Sequence, residues 1–87
     1  MVIEQFRSGD PLPVRQRFVR EGRMLPDGVE YLASWIDPAR ARCFQLMDAT
    51  SPALMDVWVS RWLDLVEFEV VPVQTSADYW AAISTGR

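Results

Sequence analysis

Five side chains on predicted strands carry polar or aromatic groups that are suited to contacting a ligand. They are Glu4, Tyr31, Trp35, Arg42 and Gln45. A buried carboxylate, guanidinium or amide loses free energy unless it finds a partner. Because Glu4 and Arg42 lie on strands that are predicted to be neighbours, we expect them to form an ion pair. We interpret the five as candidate ligand-binding residues, with a structural or interface role as the alternative.

The residue types that the chain lacks limit its chemistry. It contains no His, Lys or Asn, and all nine of its basic residues are Arg. Without His there is no Ser-His or Cys-His nucleophile pair, no imidazole metal ligand and no usual proximal haem ligand. Without Lys there is no Schiff base. We therefore predict no catalytic residues, no metal and no cofactor, and the inventory suits binding better than demanding catalysis.

Three other groups each have a chemical and a structural interpretation. Cys43 lies mid-strand with no His to activate it, which favours an inert packed thiol over a nucleophile. Glu67 and Glu69 share a strand face about 7 Å apart. They form either a carboxylate pair or, as we prefer, charges that protect a sheet edge. Trp58 and Trp62 are four residues apart on one helix, and they either line an aromatic pocket or, as we prefer, pack in the core.

The charge balance and the cysteine count indicate which partners to expect. The net charge of -3 gives no basic footprint for nucleic acid or anionic lipid, and the arginines at 15, 17, 20 and 23 are interpreted as a solvated helix face. No apolar run approaches the roughly 20 residues of a membrane span. The opening residues show neither a charged leader nor a cleavage site, and a single Cys suits a reducing compartment. We expect a cytoplasmic protein.

The length of 87 residues predicts one domain, spanning residues 1–87. A chain of this size buries only about 60 to 65% of the surface that it exposes when unfolded. Its apolar fraction of 49%, with four Trp and four Phe, is nonetheless high. Some of that apolar surface is therefore expected to meet a second copy of the chain in a homodimer.

The first half of the chain predicts a strand, a helix and a second strand. The strand covers residues 1–7, and the helix starts at Asp10-Pro11, where Asp caps and Pro loses no hydrogen bond, and runs to about Glu21. Gly22 fits the left-handed position after a helix. The turn 25–28 leads to the strand Val29–Asp37, in which Tyr31, Ala33 and Trp35 share one face and Leu32, Ser34 and Ile36 share the other.

The second half repeats this pattern. A type I turn at 37–40 leads to the strand Arg40–Asp48, so the second and third strands should form a hairpin. Ser51 caps a second helix that opens at Pro52 and runs to about Leu65. The fourth strand, 66–74, contains Pro72, which predicts an edge position. A last short helix should run from 76 to near Gly86.

The order strand, helix, strand, strand, helix, strand predicts a ferredoxin-like βαββαβ plait with an antiparallel four-stranded sheet, an α+β fold. Right-handed crossovers give the sheet order 4-1-3-2 with both helices on one face. The other face is too apolar for water, which predicts that two copies pack face to face in a dimeric α/β barrel. The alternation leaves open which face Glu4 occupies, and it places Arg42 and Gln45 on opposite faces.

Five stretches also carry a resemblance to a known family. They are Met-Val-Ile-Glu-Gln-Phe at the start, Gly-Arg-Met-Leu-Pro-Asp-Gly-Val, the Ser-Trp strand, Arg-Cys-Phe-Gln-Leu-Met, and Trp-Leu-Asp-Leu-Val-Glu-Phe-Glu-Val-Val-Pro-Val. Together they resemble a small bacterial family catalogued as domain of unknown function 3303. The resemblance implies a dimeric α/β-barrel fold and no known activity. The wider superfamily includes cofactor-free monooxygenases, isomerases and haem-binding proteins, whose sites lie between sheet and helices.

Two functions of different classes are consistent with these residues. The first is a homodimeric binding or interaction module for a small, partly apolar ligand or a protein partner. The alternative is a cofactor-independent oxygenase or isomerase in which Tyr31 or Glu4 handles protons. A cleft that holds a buried carboxyl or Tyr with a shifted pKa would favour the enzyme, whereas a completely filled core would exclude it.

Overall fold

The structure is a computed structural model that describes residues 1–85. A short 3₁₀ turn at Arg7–Gly9 follows the first strand, and the other elements are β1 (Val2–Phe6), α1 (Leu12–Glu21), β2 (Val29–Asp37), β3 (Arg42–Ala49), α2 (Pro52–Ser60), β4 (Val66–Val70) and α3 (Ser76–Thr85). The predicted helix end near Gly86 lies outside the described residues. The described chain is therefore mixed α+β, with one four-stranded sheet and three helices.

All strand pairs in the sheet are antiparallel, and the order is β2-β3-β1-β4. The expected order 4-1-3-2 counts the strands from the β4 edge, and this one counts them from the β2 edge. β1 and β3 are therefore the central strands. The predicted hairpin between β2 and β3 is confirmed, with Asp37 paired to Arg42 at its closed end.

Three predicted boundaries are wrong by two residues or more, each for a local reason. β4 ends at Val70, because Pro72 has no N–H to donate and the chain leaves the sheet before it. β3 begins at Arg42 and not at Arg40, since Ala41 has a φ of 51° and belongs to the turn. α2 ends at Ser60, and residues 61–65 form turns that lead into β4.

A β-bulge at Leu32 overturns the predicted faces of β2. Tyr31 pairs with Met47, and Ala33 pairs with Leu46, which is adjacent to Met47 in β3. Leu32 therefore has no partner in β3 and is an extra residue. The bulge reverses the alternation of the strand at this point. Tyr31 consequently shares a face with Ser34, whose hydroxyl lies 2.7 Å from the Tyr31 hydroxyl.

Both α1 and α2 cover the same face of the sheet. Val2, Val29, Met55, Trp58 and Trp62 form the main buried cluster, and half-buried side chains of α1 pack against it. The turn before β2 closes tightly on α2. A Cβ on Gly28 (φ 90°) would lie 2.7 Å from the Thr50 hydroxyl oxygen, so only glycine fits there.

The opposite face of the sheet is not covered by any element of the described chain. Trp35 on this face is 54% exposed, and its β3 neighbour Phe44 is half-buried. Arg42 also lies on this face and donates from Nη2 to Asp37 Oδ2 at 2.9 Å. The predicted ion pair between Glu4 and Arg42 is therefore wrong, because the Glu4 side chain is buried on the helix-covered face. Within residues 1–85, no helix is long and apolar enough to cross a membrane.

Candidate functional site

A cavity of about 520 Å³ lies between α1 and the helix-covered face of the sheet. Its volume is within the range of small-molecule sites. Most of its wall is apolar or aromatic, with polar groups contributed mainly by the sheet and the loop after α1. Its lining includes Glu4, Val14, Arg15, Phe18, Arg23 and Gln45.

A chain of hydrogen bonds crosses the floor of the cavity. Arg23 Nε donates to Gln45 Oε1 at 3.2 Å, and Gln45 Nε2 in turn donates to Glu4 Oε2. Glu4 and Gln45 are the buried polar residues of the described chain, 4% and 7% exposed. Gln45 uses both ends of its amide and therefore connects a cation to a carboxyl group.

The second oxygen of Glu4 opens onto the cavity. Within the described residues Glu4 Oε1 accepts no hydrogen bond from the chain, and no fully buried side-chain oxygen lacks a partner. Oε1 must therefore reach open space, and Glu4 lines the cavity. A bound molecule can thus contact this carboxyl group directly.

The electrostatics of Glu4 differ from those of an ordinary surface acid. Burial raises the pKa of Glu4 from 4.5 to about 7, because the charged form loses water. The Gln45 hydrogen bond and the positive charge of Arg23 oppose this rise only in part. At neutral pH the group is therefore divided between its acid and its carboxylate form, as a general acid or base requires.

Two tryptophans hold Arg23 in place through its backbone. The indole N–H groups of Trp58 and Trp62 both donate to the Arg23 carbonyl oxygen, at 2.9 Å and 3.0 Å. Arg61 adds a hydrogen bond from Nη1 to the carbonyl of the next residue, Met24, at 2.7 Å. The loop after α1 is thus tied to α2 and the turn behind it, and the Arg23 side chain points back over the sheet.

Aromatic rings flank the Arg23 guanidinium. Its central carbon lies 3.5 Å from the centroid of the Tyr31 ring and 5.2 Å from that of Phe18. Such cation–π contacts favour a guanidinium that has given up part of its water. Tyr31 therefore supports the site through Arg23.

Cys43 also lines the cavity, beside Glu4. Burial raises the pKa of the Cys43 thiol to about 12, and the negative charge of Glu4 adds to this rise. A thiol with such a pKa stays protonated at neutral pH and is a poor nucleophile. Cys43 therefore contributes shape to the cavity and not reactivity.

The structure divides the five candidate residues between two faces. Glu4 and Gln45 line the cavity, and Tyr31 adjoins it beneath Arg23. Trp35 and Arg42 lie on the opposite, uncovered face. These two cannot contact a molecule that is held beside Glu4 in the same chain.

Other interpretations of the sequence are revised by these positions. Trp58 and Trp62 are core residues, and they also line the cavity. The solvated face expected for the four arginines is wrong for Arg17, which is half-buried beside Asp64, and for Arg23, which is half-buried at the cavity. The position of Arg23 could not be read from the sequence, because it depends on indole donors 35 and 39 residues away.

A second, larger recess of about 960 Å³ lies where the N-terminus, the segment after β4 and the start of α2 meet. The buried polar residues Glu4 and Gln45 do not line it. No group of three or more Cys, Asp or Glu residues in the described part of the chain could hold a metal ion. The cavity that contains Glu4 is therefore the better candidate site.

Comparison with known proteins gives a family match. The model of the family described as Domain of unknown function (DUF3303) matches residues 1–87. No curated protein and no solved structure matches the chain. The description of the family names no activity, so no functional residue is transferred from it.

Proposed function

Since the chain belongs to the DUF3303 family, whose description assigns no activity, we propose its function from its own cavity: it binds a small, partly apolar molecule. The observation that carries this proposal is the cavity of about 520 Å³ with Glu4, Gln45 and Arg23 on its floor. Apolar walls supply affinity, and a few placed polar groups fix the orientation of the ligand.

The assembly that we propose is a homodimeric ferredoxin-like plait in which two sheets form a dimeric α/β barrel. The order of the elements and the position of both helices on one face support it. The uncovered face, with exposed Trp35, supplies the apolar surface for a second copy. We also propose a cytoplasmic location, since a free thiol such as Cys43 persists in a reducing compartment.

The binding proposal is tested by a screen of small metabolites against the purified protein, read by thermal shift and by NMR. A ligand that binds the folded state and not the unfolded chain raises the unfolding temperature, and the rise grows with the logarithm of the ligand concentration above Kd. Val14→Phe places a ring in the cavity and should abolish binding of the hits. Leu12→Phe is the matched control, because Leu12 lies on the same helix and is exposed outside the cavity.

Equal binding by the wild type and by Val14→Phe would refute the proposal, since the ligand would then occupy another surface. Val14 packs against the core, so the folding of the variant is checked first by its NMR spectrum. A variant that has lost its native spectrum is replaced by Val14→Leu, which fills less of the cavity.

A second function, cofactor-independent proton transfer, is favoured by the state of Glu4. A buried carboxyl group with a pKa of about 7 that opens onto an apolar cavity is able to take a proton from a bound molecule and return it. In an isomerase, the carboxylate would remove a proton from a carbon next to a carbonyl group and redeliver it elsewhere. An oxygenase would in addition consume dioxygen as its co-substrate.

This second function has its own test. A hit from the screen is incubated with the protein in D₂O, and exchange of its C–H protons is followed by NMR. We expect exchange with the wild type and a large loss with Glu4→Gln, which keeps the shape of the side chain but cannot take up the proton. Unchanged exchange in Glu4→Gln would exclude Glu4 as the base.

A further inference from the structure

Two arginines of the cavity form no direct ion pair within the described chain. Arg15 lies at the mouth and Arg23 on the floor, and each stacks on the ring of Phe18, at 5.8 Å and 5.2 Å. Arg7, Arg17, Arg20 and Arg42 each form an ion pair with a carboxylate, whereas Arg40 and Arg61 form none within the described residues. Of the four unpaired arginines in that part of the chain, Arg15 and Arg23 are the two that line the cavity.

The open side of the Arg23 guanidinium is the part that a ligand would meet. Its Nε is used by Gln45, whereas Nη1 and Nη2 donate to no group of the described chain. The side chain is half-buried, and Gln45 and the Tyr31 ring hold it in one orientation. A guanidinium with a fixed plane and free terminal donors is suited to a carboxylate, which accepts two parallel hydrogen bonds.

We propose that the cavity takes a monocarboxylic acid with an apolar or aromatic body, and that Arg23 binds its carboxylate. This inference rests on the proposed binding function and adds the chemical class of the ligand. The body of the molecule lies against Phe6, Val14, Trp58 and Trp62. Arg15 at the mouth attracts the anion as it enters.

The charges of the cavity favour a single negative charge on the ligand. Arg15 and Arg23 contribute two positive charges, and Glu4 contributes between none and one negative charge, depending on its proton. A monoanion therefore leaves a net charge between 0 and +1, whereas a dianion leaves one between -1 and 0. A phosphate dianion would place two charges near Glu4, in a cavity whose remaining wall is mostly apolar, where unpaired charge is costly.

The test uses matched pairs of carboxylic acids and their primary amides, with 3-phenylpropanoate and 3-phenylpropanamide as the first pair and hexanoate with hexanamide as the second. The acid and the amide of each pair have nearly the same shape and differ in charge. Binding is measured at pH 6 by isothermal titration calorimetry and by tryptophan fluorescence, to which Trp58 and Trp62 of the cavity contribute. We expect each acid to bind at least about tenfold more tightly than its amide, as a charged hydrogen-bonded pair provides.

Variants then assign the preference to Arg23. Arg23→Gln should reduce the affinity for the acid to that for the amide, and Arg23→Lys should recover part of the difference. Arg20→Gln is the control, because Arg20 is exposed, pairs with Glu21 and lies outside the cavity. Arg15→Gln should slow association more than it speeds dissociation. An unchanged acid preference in Arg23→Gln would overturn the assignment.

The outcomes separate this inference from the binding proposal. If the amides bind as tightly as the acids and Val14→Phe abolishes the binding of both, the cavity binds ligands, but the proposal that Arg23 binds a carboxylate is refuted. If neither the acids nor the amides bind at millimolar concentrations while other screened molecules do, the carboxylate proposal is also refuted, whereas the proposed binding function is supported. If no molecule of any class binds in a way that depends on Val14, both are refuted.

Discussion

Gln45 on β3 donates its side-chain amide to Glu4 on β1, so the buried acid of one central strand depends on the amide of the other. The same amide accepts a hydrogen bond from Arg23, which belongs to neither strand. The cavity floor is therefore built from the two innermost strands and one loop. This arrangement places an acid, an amide and a cation side by side beneath an apolar chamber.

The first prediction concerns the stability of the protein as a function of pH. Glu4 has a pKa of about 7 in the folded state against an ordinary value of 4.5. Between these values the unfolded chain releases the proton and the folded chain keeps it, so stability must fall as the pH rises. We expect the wild type to lose up to about 3 kcal/mol of unfolding free energy between pH 4.5 and pH 8. Urea unfolding at several pH values measures this loss.

Glu4→Gln should remove most of that slope and should make the protein more stable than the wild type at pH 8. The chain has no His to titrate in the same window, and the pKa values of Asp37 and Asp64 are lowered, so these acids titrate below it. Glu69→Gln is the control, since Glu69 is exposed on the edge strand. A slope in Glu4→Gln as steep as in the wild type would show that another group is responsible.

The fold was largely predictable because its signals are local. An acid or hydroxyl residue before a proline marks the start of each of the first two helices, and a Pro-containing turn joins the hairpin strands. Gly22 follows α1 with a φ of 70°, as expected after a helix. These features depend on neighbouring residues, so they can be read without knowing what packs against them.

The candidate site was less predictable because it depends on distant contacts. The bulge at Leu32 has no signature in a strand with apolar residues on both faces, yet it moves Tyr31 to the face that supports the cavity. The face of Glu4 was also ambiguous, because both faces of β1 mix polar and apolar residues. Arg23 was missed because two distant indole groups position it.

A second prediction concerns those indole groups. Trp58 and Trp62 donate to one carbonyl, so Trp58→Phe or Trp62→Phe alone leaves that oxygen with one donor. The double variant leaves it without a donor, which costs more than the sum of the single losses. We expect a coupling free energy of about 1 kcal/mol from a double-mutant cycle in urea. Strict additivity would mean that the shared carbonyl does not link the two residues.

The third prediction concerns the proposed dimer. Trp35 lies exposed on the uncovered face beside Phe44, and a charge placed there should prevent a second copy from packing against it. Light scattering at micromolar concentration should give twice the chain mass for the wild type and the mass of a single chain for Trp35→Glu. Leu12→Glu is the control, because Leu12 is 61% exposed, close to the 54% of Trp35, but lies on the helix side. A wild type that remains at 10.0 kDa would refute the dimer.

The fourth prediction links the ligand to the proton on Glu4. The groups that face this carboxyl are Gln45 and Cys43 from β3 and Arg23 from the loop, and Cys43 stays neutral because its pKa is about 12. Above pH 7 the Glu4 carboxylate therefore repels the carboxylate of a bound acid, and below pH 7 it is neutral. We expect the affinity for 3-phenylpropanoate to fall by about tenfold between pH 6 and pH 8, as one repulsive charge pair in a partly buried site would produce. In Glu4→Gln the affinity should stay constant over this range, and the amide should show no pH dependence with either protein. A wild-type affinity for the acid that stays constant or rises between pH 6 and pH 8 would contradict this placement of the carboxylate beside Glu4.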